Sequence, residues 1–564
     1  MTALTFPHFT PTFAKSQWSL SQVLEHQANT IGNRPFLKWE DEGEQFTYAE
    51  TNARSNQLAH GLAGRGIGHG DCVVLFMPNS LDYLFSWFAL NKLGAIEAPI
   101  NTAYKGKFLE HQVNICKAKA VIVDLDLLPA LQDSIEQLPG IKQVILWSRS
   151  GKLPSPLPKV GNCEVITFTS LVTADTSNPG IAVAPQDIGA IMFTSGTTGL
   201  SKGVMMPHGQ LYLFAEINVR ALELTGEDTY MTGFPLFHAN AQLLTLYPSM
   251  IAGMRCVLYE RFSATQWVDR LHSSGATVTN SLGVVLPFVF AQPPTPRDGT
   301  HKLRRILSAP TPYGILDEFK ARFNVHNFVE GFGQTEICCP IMTPLAQAQS
   351  RPKGAAGLNL EQFFEIRLVD PETDEEVPTG EVGELMLRHK TPWTINVGYV
   401  SMPEKSAEAW RNLWFHTGDG VRRDAEGWYY FVDRLKDALR RRGENISSYE
   451  VEAPIREHPA VADVAIVAVP CDMAGGEDEV KACIILKPGE SASPEELIQW
   501  CDGRIPSFAV PRYIEFMTEF PKTPSEKVRK NVLRSSGINE DTWDRVKAGV
   551  TLSDERAKAA KKKS

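Results

Sequence analysis

The chain has 564 residues, which is more than one hydrophobic core usually holds, so we expect at least two domains. Apolar residues make up 43% of the sequence and charged residues 21%, as in an ordinary soluble globular protein. The formal net charge of −9 argues against a nucleic-acid partner, because the chain has no overall basic field that would release counterions from phosphates.

The sequence also bears on the cellular compartment. The N-terminus has no basic region followed by an apolar block, so we do not expect a signal peptide. The most apolar region, 73–100, is interrupted by charged residues such as Asp82, Lys92 and Glu97, and no segment is predicted to span a bilayer. The nine cysteines are odd in number and form no C-x-x-C pair, which predicts reduced thiols and a cytoplasmic protein.

Helical and strand patterns alternate along the first part of the chain. Helices are predicted over 20–27, from Thr47 onward and over 80–93, and strands over 35–46, 71–77, 95–100 and 120–124. Strands that alternate with helices favour parallel sheets covered by helices. The predicted fold class is therefore α/β, with these elements in a large N-terminal domain.

A glycine-rich loop follows the next predicted strand, 188–193. Its sequence, TSGTTGLSKGV at 194–204, combines small hydroxyls and glycines with one lysine, Lys202. Glycines let the backbone turn tightly with its N–H groups pointing inward, and the hydroxyls and the lysine add further donors. We interpret the loop as a phosphate cradle suited to a triphosphate.

Two named glycine-rich motifs fail to match by spacing. The P-loop pattern G-x-x-x-x-G-K-[ST], counted from Gly196, finds Ser201 at its second glycine and Gly203 where a Ser or Thr is required. The dinucleotide pattern G-x-G-x-x-G is approached at 331–336, but Glu336 takes the third glycine position. A plain surface turn rich in Ser, Thr and Gly is the remaining alternative.

The middle of the chain changes character after the loop. Short apolar runs at 276–281, 305–309 and 326–330 are each followed closely by Pro or Gly, as in strands that deliver loops to a ligand crevice. The alternating runs 365–370 and 384–388 predict a small antiparallel barrel.

A smaller α+β domain is predicted near the C-terminus. Its elements follow a last strand at 429–432 and a charged connector at 433–437, and comprise strands 463–470, 479–486 and 512–516 and a helix over 494–504. We divide the chain into an N-terminal domain 1–435, a mobile C-terminal lid domain 436–535, and a basic tail 536–564 that is disordered at its end.

Five motifs occur in the order and at about the intervals of one known family. They are the glycine-rich loop, GFGQTE at 331–336, HTGD at 416–419, Asp433-Arg434 with GENI at 443–446, and PKT at 521–523 with Lys527. The chain thereby resembles the adenylate-forming enzymes (acyl-CoA synthetases, luciferases and peptide-synthetase adenylation domains) and is most similar to the crotonobetaine/carnitine CoA-ligase group. Ser201 replaces the family's proline, Glu526 replaces a glycine, and Leu307-Ser308-Ala309 replaces Gly-Gly-Ala.

The resemblance implies an ATP-dependent acyl-CoA synthetase. A carboxylate and ATP would give an acyl-adenylate and pyrophosphate, and CoA would then give acyl-CoA and AMP, with ATP, Mg²⁺ and CoA required. Two like charges 4 Å apart repel by about 4 kcal/mol at an effective dielectric near 20, so the site must supply positive charge. One alternative passes the acyl group to a carrier-protein thiol or another acceptor, and a second is a non-catalytic nucleotide-binding protein.

The resemblance also implies roles for individual residues. The implied catalytic residues are Lys527, Glu336, Thr194 and His238, with Thr194 and Glu336 holding Mg²⁺. Lys527 would neutralise charge on the α-phosphate and the carboxylate, and Asp419 would accept hydrogen bonds from the ribose hydroxyls. The implied ATP or AMP site comprises Thr194, Ser195, Gly196, Thr197, Thr198, Gly199, Lys202, Phe332, Gly333, Gln334, Thr335, Asp419 and Arg434.

The acyl and CoA residues are also carried over by resemblance. The acyl pocket comprises His238, Ala239, Asn240, Leu282, Gly283, Ser308 and Ala309, the hinge is Lys436, and the CoA path comprises Arg442, Gly443, Glu444 and Asn445. No aspartate stands at 238–240 to hold an amino group, which favours a carboxylic acid without a free α-amine. The sequence does not identify the acid, and it leaves the oligomeric state open, a homodimer being one option.

Overall fold

The structure is a computed structural model that describes residues 4–41, 43–194, 201–282, 285–435, 439–441, 444–446, 448–470, 478–502, 504–505, 509–522 and 528–552. Within them the strands, labelled in chain order, are β1 Pro35–Trp39, β2 Glu44–Thr47, β3 Cys72–Phe76, β4 Ile96–Pro99, β5 Ala120–Asp124, β6 Gln143–Trp147, β7 Glu164–Thr167, β8 Ile188–Thr194, β9 Lys202–Pro207, β10 Thr229–Thr232, β11 Arg255–Leu258, β12 Val278–Leu282, β13 Arg305–Ala309, β14 Asn327–Val329, β15 Gly331–Gln334, β16 Cys338–Met342, β17 Leu358–Asn359, β18 Phe364–Val369, β19 Val382–His389, β20 Phe415–Arg423, β21 Tyr429–Arg434, β22 Leu439–Arg441, β23 Glu444–Ile446, β24 Val461–Pro470, β25 Asp478–Leu486, β26 Tyr513–Phe516 and β27 Trp543–Asp544. The helices are α1 Leu20–Ile31, α2 Tyr48–Gly64, α3 Leu81–Lys92, α4 Gly106–Ile115, α5 Leu128–Ser134, α6 His208–Ala221, α7 Ala239–Ala241, α8 Tyr247–Ala252, α9 Trp267–Ser274, α10 Val285–Phe290, α11 Leu316–Phe323, α12 Pro403–Ala409, α13 Ser448–Arg456, α14 Pro494–Cys501 and α15 Lys530–Ser535. The predicted α/β class is confirmed.

The first large sheet carries the start of the glycine-rich loop at one edge. Its strand order is β7-β6-β5-β3-β4-β8-β9, parallel except for the β8–β9 hairpin. Strands β3 and β5 are buried at every position, which fits continuous apolar runs in a sheet covered on both faces. The hairpin register sets Lys202 opposite Thr194, so the two ends of the loop lie side by side.

The second large sheet supplies the strand ends that face the site. Its order is β14-β13-β12-β10-β11-β1-β2, parallel except for the β1–β2 pair. Neighbouring strands β12, β13 and β14 end at Leu282, Ala309 and Val329. Because the carboxyl ends of parallel neighbours share one edge, the loops that follow them meet there. The three strands predicted to deliver these loops are confirmed.

Helices pack between the two large sheets in a shared core, and each sheet has a separate core on its other face. Helix α3 is buried on every side except at Asp82, as expected for a helix with an apolar surface all round. The predicted helix starts carry caps: the Ser80 side chain accepts the Tyr83 N–H, and Thr47 and Glu50 form a capping box at the start of α2. Each capping side chain stabilises its helix by about 1 kcal/mol. No helix in the part of the chain described above is long and apolar enough to cross a membrane.

The prediction of a small closed barrel is wrong. Strands β18, β19, β20 and β21 form an open antiparallel sheet in that order. The β21 edge is occupied by the segment before β17, where the Tyr429 N–H donates to the Gly357 carbonyl and the Ala356 N–H to the Tyr429 carbonyl. Alternating apolar residues identify antiparallel strands but carry no signal for what their edges pair with.

The C-terminal sheet has the order β24-β25-β26-β27. Strands β24 and β25 are antiparallel, β25 and β26 are parallel, and α14 lies between them in sequence. The strands and the helix predicted here are therefore present. Strand β27 pairs with β26, so part of the segment assigned above to the tail belongs to this sheet. Residues 553–564 lie outside the described residues.

Candidate active site

Thr194 and Glu336 lie together where β8 ends beside the β15 hairpin. The Thr194 hydroxyl donates to Glu336 Oε1 at 3.4 Å, and the Tyr399 hydroxyl donates to the same oxygen at 3.2 Å. Glu336 is only 7% exposed. Burial and the neighbouring Glu336 carboxylate raise the pKa of Tyr399 well above its ordinary value, so Tyr399 stays a hydrogen-bond donor. A buried carboxylate with a hydroxyl beside it offers the oxygen ligands that Mg²⁺ prefers.

Lys202 adds positive charge to this cluster. Its Nζ lies 4.3 Å from the centre of the Tyr399 ring, a cation–π distance. The Glu336 carbonyl is held by two donors of Asn396, the backbone N–H at 2.9 Å and the side-chain amide at 2.9 Å. Tyr399 and Asn396 were not predicted, because neither stands in a recognisable motif. The Lys202 position is consistent with a role toward phosphate, which stays a prediction.

Two glycines of the β15–β16 hairpin pack closely against their neighbours, and one of them, Gly333, cannot carry a side chain without a backbone shift. A Cβ on Gly333 would lie 2.2 Å from the Cys338 carbonyl oxygen, and one on Gly331 would lie 2.1 Å from the Met342 sulfur. Between these two glycines, Phe332 stacks on Phe431, with ring centres 5.8 Å apart and ring planes at 20°. Phe431 is 38% exposed, so this aromatic pair presents a surface on which a planar base would stack. The place of Phe332 in the ATP or AMP site stays a prediction.

Asp419 and Arg434 lie opposite each other on β20 and β21. Arg434 Nε is 2.8 Å from Asp419 Oδ1, and Asp419 is only 2% exposed. The Gln334 side-chain amide donates to Asp419 Oδ2 and to the Thr417 carbonyl. Gln334 stands two residues before Glu336, so one hairpin joins the carboxylate beside Thr194 to the carboxylate on β20. The structure thus brings together residues of the predicted nucleotide site, Gln334, Asp419 and Arg434, that are far apart in the sequence.

Helix α6 holds Thr335 in place, although no sequence motif predicted that this helix contacts the site. The Gln210 side chain, on α6, donates to the Thr335 carbonyl at 2.8 Å. Helix α6 begins directly after β9, so the same loop-to-helix segment that carries Lys202 also holds the GFGQTE turn. The turn and strand β9, which carries Lys202, are therefore held together by a part-buried hydrogen bond.

The acyl residues meet at the ends of β12 and β13. Leu282 pairs with Ala309, and Ser281 with Ser308. Asn240, on α7, accepts a hydrogen bond from the Asn280 amide at 3.0 Å, which ties the segment His238, Ala239 and Asn240 to β12. The chain thus brings the described members of the predicted acyl pocket close to one sheet edge.

Buried neutral groups fix Asn280 and, through it, Asn240. The Asn280 amide also donates to Thr245 at 2.8 Å, and its carbonyl accepts from the Tyr230 hydroxyl. Burial raises the pKa of Tyr230 well above its ordinary value, so the hydroxyl remains protonated. The bonded set contains no formal charge. No motif predicts this set, because Asn280 and Tyr230 lie inside strands whose apolar pattern indicates only burial.

A buried ion pair joins the acyl edge to the nucleotide hairpin. Glu330, directly before β15, accepts from the Thr311 N–H at 3.2 Å and pairs with Arg351. Arg351 in turn donates to the Thr311 hydroxyl at 3.1 Å. The end of β13 is thereby fixed against the start of β15. Glu330 and Arg351 do not stand in a recognisable motif, so the sequence did not predict this ion pair.

Several predicted residues lie outside the described part of the chain. They are Ser195, Gly196, Thr197, Thr198, Gly199, Gly283, Lys436, Arg442, Gly443 and Lys527. The backbones of Glu444 and Asn445 form β23, opposite Arg441 and Arg440 of β22. Their predicted roles toward phosphate, CoA and the hinge stay predictions.

The fold and the two carboxylate clusters define an α/β enzyme of the adenylate-forming type. The chain belongs to the AMP-binding enzyme family: the family profile matches residues 24–399, and the profile of the AMP-binding enzyme C-terminal domain matches residues 450–527. The resemblance stated from the motifs is confirmed.

Individual relatives agree with this assignment. The crotonobetaine/carnitine–CoA ligase of Salmonella agona (strain SL483) is 30% identical over 527 residues, which cover 92% of this chain and 99% of the relative. The structure of the anthranilate CoA ligase AuaEII in complex with anthranoyl-AMP matches with a TM-score of 0.80 and 27% identity, covering 93% of this chain and 98% of that one. ATP-bound MatB from Rhodopseudomonas palustris, at 24% identity, shares the fold with a TM-score of 0.79 over 92% of this chain and 98% of that one.

Proposed function

We propose that this enzyme is an ATP-dependent acyl-CoA synthetase that works through an acyl-adenylate. The observation that carries the proposal is the β15 hairpin, which places Glu336 beside Thr194 and Gln334 against Asp419. One rigid turn can then set the metal-binding carboxylate and the ribose-binding carboxylate at a fixed separation. The CoA-ligase relatives that span nearly the whole chain support the same reaction class.

The residues divide the chemical work of adenylation. Glu336 and Thr194 would hold Mg²⁺, which when bound neutralises phosphate charge as a Lewis acid. Asp419 would accept hydrogen bonds from the ribose hydroxyls, with Arg434 beside it. Lys527 would neutralise the charge that develops as the carboxylate attacks the α-phosphate. This step needs no general base, because the attacking carboxylate is already deprotonated.

Domain rotation between the half-reactions is part of the proposal. One orientation would present Lys527 for adenylation, and a second would open a path for the CoA thiol, with Lys436 as the hinge. The proposed units are residues 1–435 and a lid that begins at residue 436, and the tail proposed from residue 536 is shortened because β27 pairs with β26 of the lid. In the second orientation, residues 442–445 would line the CoA path. The C-terminal family profile, which ends at residue 527, supports a lid that carries the lysine.

The residues of the predicted acyl pocket favour a substrate acid whose only charged group is the carboxylate that reacts. Apart from His238, the described members of the predicted pocket carry no formal charge, and Asn240 is held by a neutral network. Transfer of an additional charge into such a wall would cost free energy without a partner group. We propose a cytoplasmic location, where ATP and CoA are available, and we leave a homodimer as a prediction for gel filtration.

A substrate screen tests the proposal. Short aliphatic, aromatic, long-chain and quaternary-amine acids are each supplied with ATP, Mg²⁺ and CoA, and pyrophosphate and acyl-CoA are measured. We expect acid-dependent pyrophosphate release and CoA-dependent thioester formation, weakest for the quaternary-amine acids. Pyrophosphate release with no thioester would favour another acceptor, such as a carrier-protein thiol. No acid-dependent pyrophosphate from any acid would contradict the proposed function.

A further inference from the structure

Strand β20 bulges where it passes β19. Glu384 pairs with Gly420 and Met386 with His416, so the step from Glu384 to Met386 faces a longer stretch of β20. Such a bulge removes residues 417–419 from the ladder between β19 and β20, although Asp419 still pairs with Arg434 of β21. Gly418 also has a positive φ of 70°, which glycine adopts without strain. The bulge leaves the Gly418 N–H in need of a partner from outside the ladder.

Glu384 supplies that partner. Its Oε1 accepts the Gly418 N–H at 3.0 Å, and its Oε2 accepts from His416 Nδ1 at 3.0 Å. The carboxylate is 4% exposed, and its burial would raise the pKa, but these two hydrogen bonds hold the pKa below its usual value. Glu384 is therefore an ionised acceptor for two groups at the two ends of one turn.

The same turn ends at Asp419. The Thr417 hydroxyl donates to the Leu385 carbonyl at 2.6 Å and accepts the Asp419 N–H at 3.1 Å. We propose that Glu384 is a positioning residue: by bridging His416 and Gly418, it sets the orientation in which Asp419 receives the ribose hydroxyls. The inference rests on the proposed function, because it takes Asp419 as the ribose acceptor.

A metal site made of the same residues is the other interpretation, and the geometry disfavours it. Ligand atoms of Asp374, Glu384 and His416 lie within 4.8 Å of one another. However, Glu384 faces Nδ1 of the imidazole while Asp374 lies 4.0 Å from Nε2, so the carboxylates approach opposite ring nitrogens. Arg411 Nη2 already lies 3.1 Å from Glu384 and 3.6 Å from Asp374 and balances their charge.

The substitution Glu384→Gln tests the inference through nucleotide binding. The titration of Mg·ATP and Mg·2′-deoxy-ATP into the enzyme by calorimetry requires no acyl substrate. The wild-type enzyme is expected to prefer ATP by about 10- to 100-fold, since a hydrogen bond to a buried carboxylate is a strong one. Glutamine has one acceptor oxygen for two donors, so the preference should fall to within about threefold while the affinity for 2′-deoxy-ATP changes little.

Two further variants separate positioning from general stability. Arg411→Gln removes a contact to the same carboxylate from the half-exposed side and should leave the preference for ATP intact. Glu384→Asp keeps the charge but shortens the side chain, and it should lower the preference partially. It decides the question if Glu384→Gln does not yield folded protein. An unchanged preference in a folded Glu384 variant, with only a lower melting temperature, would overturn the inference.

Two measurements on the wild-type enzyme distinguish failure of this inference from failure of the proposed function. If it binds ATP and 2′-deoxy-ATP equally, the ribose role of Asp419 fails and the inference fails with it. If it prefers ATP but no acid supports pyrophosphate release, the proposed reaction fails, while the comparison of Glu384 variants still reports on ribose positioning. A lost preference in Glu384→Gln, kept in Arg411→Gln, is the result that supports the inference.

Discussion

The two sides of the candidate site are built from different chemistry. The nucleotide side rests on charged groups held in pairs, such as Arg434 with Asp419 and Glu336 with its hydroxyl donors. The acyl side rests on neutral amides and hydroxyls, in which Asn280 fixes Asn240. The difference follows from the two substrates: the triphosphate must be matched in charge, whereas the acid must be matched in shape and hydrogen bonding.

The difference predicts which measurements each side should change. Loss of a charged group on the nucleotide side should reduce the rate of adenylation with every acid. Loss of an amide on the acyl side should change the preference among acids and leave the ATP dependence unaltered. The following substitutions test this division.

The largest effect is expected for Lys527→Ala. The lysine would balance charge on the α-phosphate only during adenylation, so acid-dependent pyrophosphate release should fall by about 10³-fold. Thioester formation from a supplied acyl-adenylate should be largely retained, because that step does not develop charge on the α-phosphate. Equal loss of both half-reactions would contradict the role of Lys527. Lys487→Ala, a lysine of the same domain that stands outside the family motifs, is the matched control.

A smaller but still large loss is expected for Glu336→Gln. The amide keeps the size of the side chain but removes one charge from the Mg²⁺ site, so adenylation should fall by about 10²-fold with all acids. The dependence on Mg²⁺ should shift to higher concentration, which pyrophosphate release at varied Mg²⁺ measures. An unchanged Mg²⁺ dependence together with a lower rate would place the metal elsewhere.

More residues of the candidate nucleotide side than of the acyl side stand in sequence motifs, and the reason is physical. Phosphate binding requires glycines, hydroxyls and charges at close sequence spacing, so Thr194, Glu336 and Asp419 stand in motifs. The acyl side depends on Asn280, which lies inside strand β12 and donates to the Asn240 side chain on α7. The local sequence pattern around either residue carries no information about this contact.

The fold shows the same limit. Element types and most bounds followed from apolar periodicity and capping residues, as at Ser80 and Thr47. The barrel prediction was wrong because the β21 edge pairs with a segment near Gly357, and such a pairing depends on a distant part of the chain. Tyr399 and Glu384 were missed for the same reason, since each completes a site whose other members lie in another element.

On the acyl side, Asn280→Leu is expected to raise the KM for the best acid by about tenfold without changing the KM for ATP. Leucine removes both donors to Asn240 and Thr245 and leaves buried polar groups without partners, which also lowers stability by about 2 kcal/mol. Thr279→Val is the control, because it removes a buried hydrogen bond to the Met231 carbonyl from the neighbouring position of the same strand. A similar KM change in both variants would indicate a general effect on the sheet.

The smallest effect is expected for Tyr399→Phe. The change removes one hydrogen bond of 3.2 Å to Glu336 but keeps the ring beneath Lys202, so adenylation should fall by about three- to tenfold with every acid. Tyr430→Phe, which removes a hydrogen bond of 2.8 Å to Asp424, is the matched control and should keep full activity. A change in the preference among acids would show that Tyr399 also acts on the acyl side. The contact between Tyr399 and Glu336 would then belong to both sides, which would contradict the division proposed here.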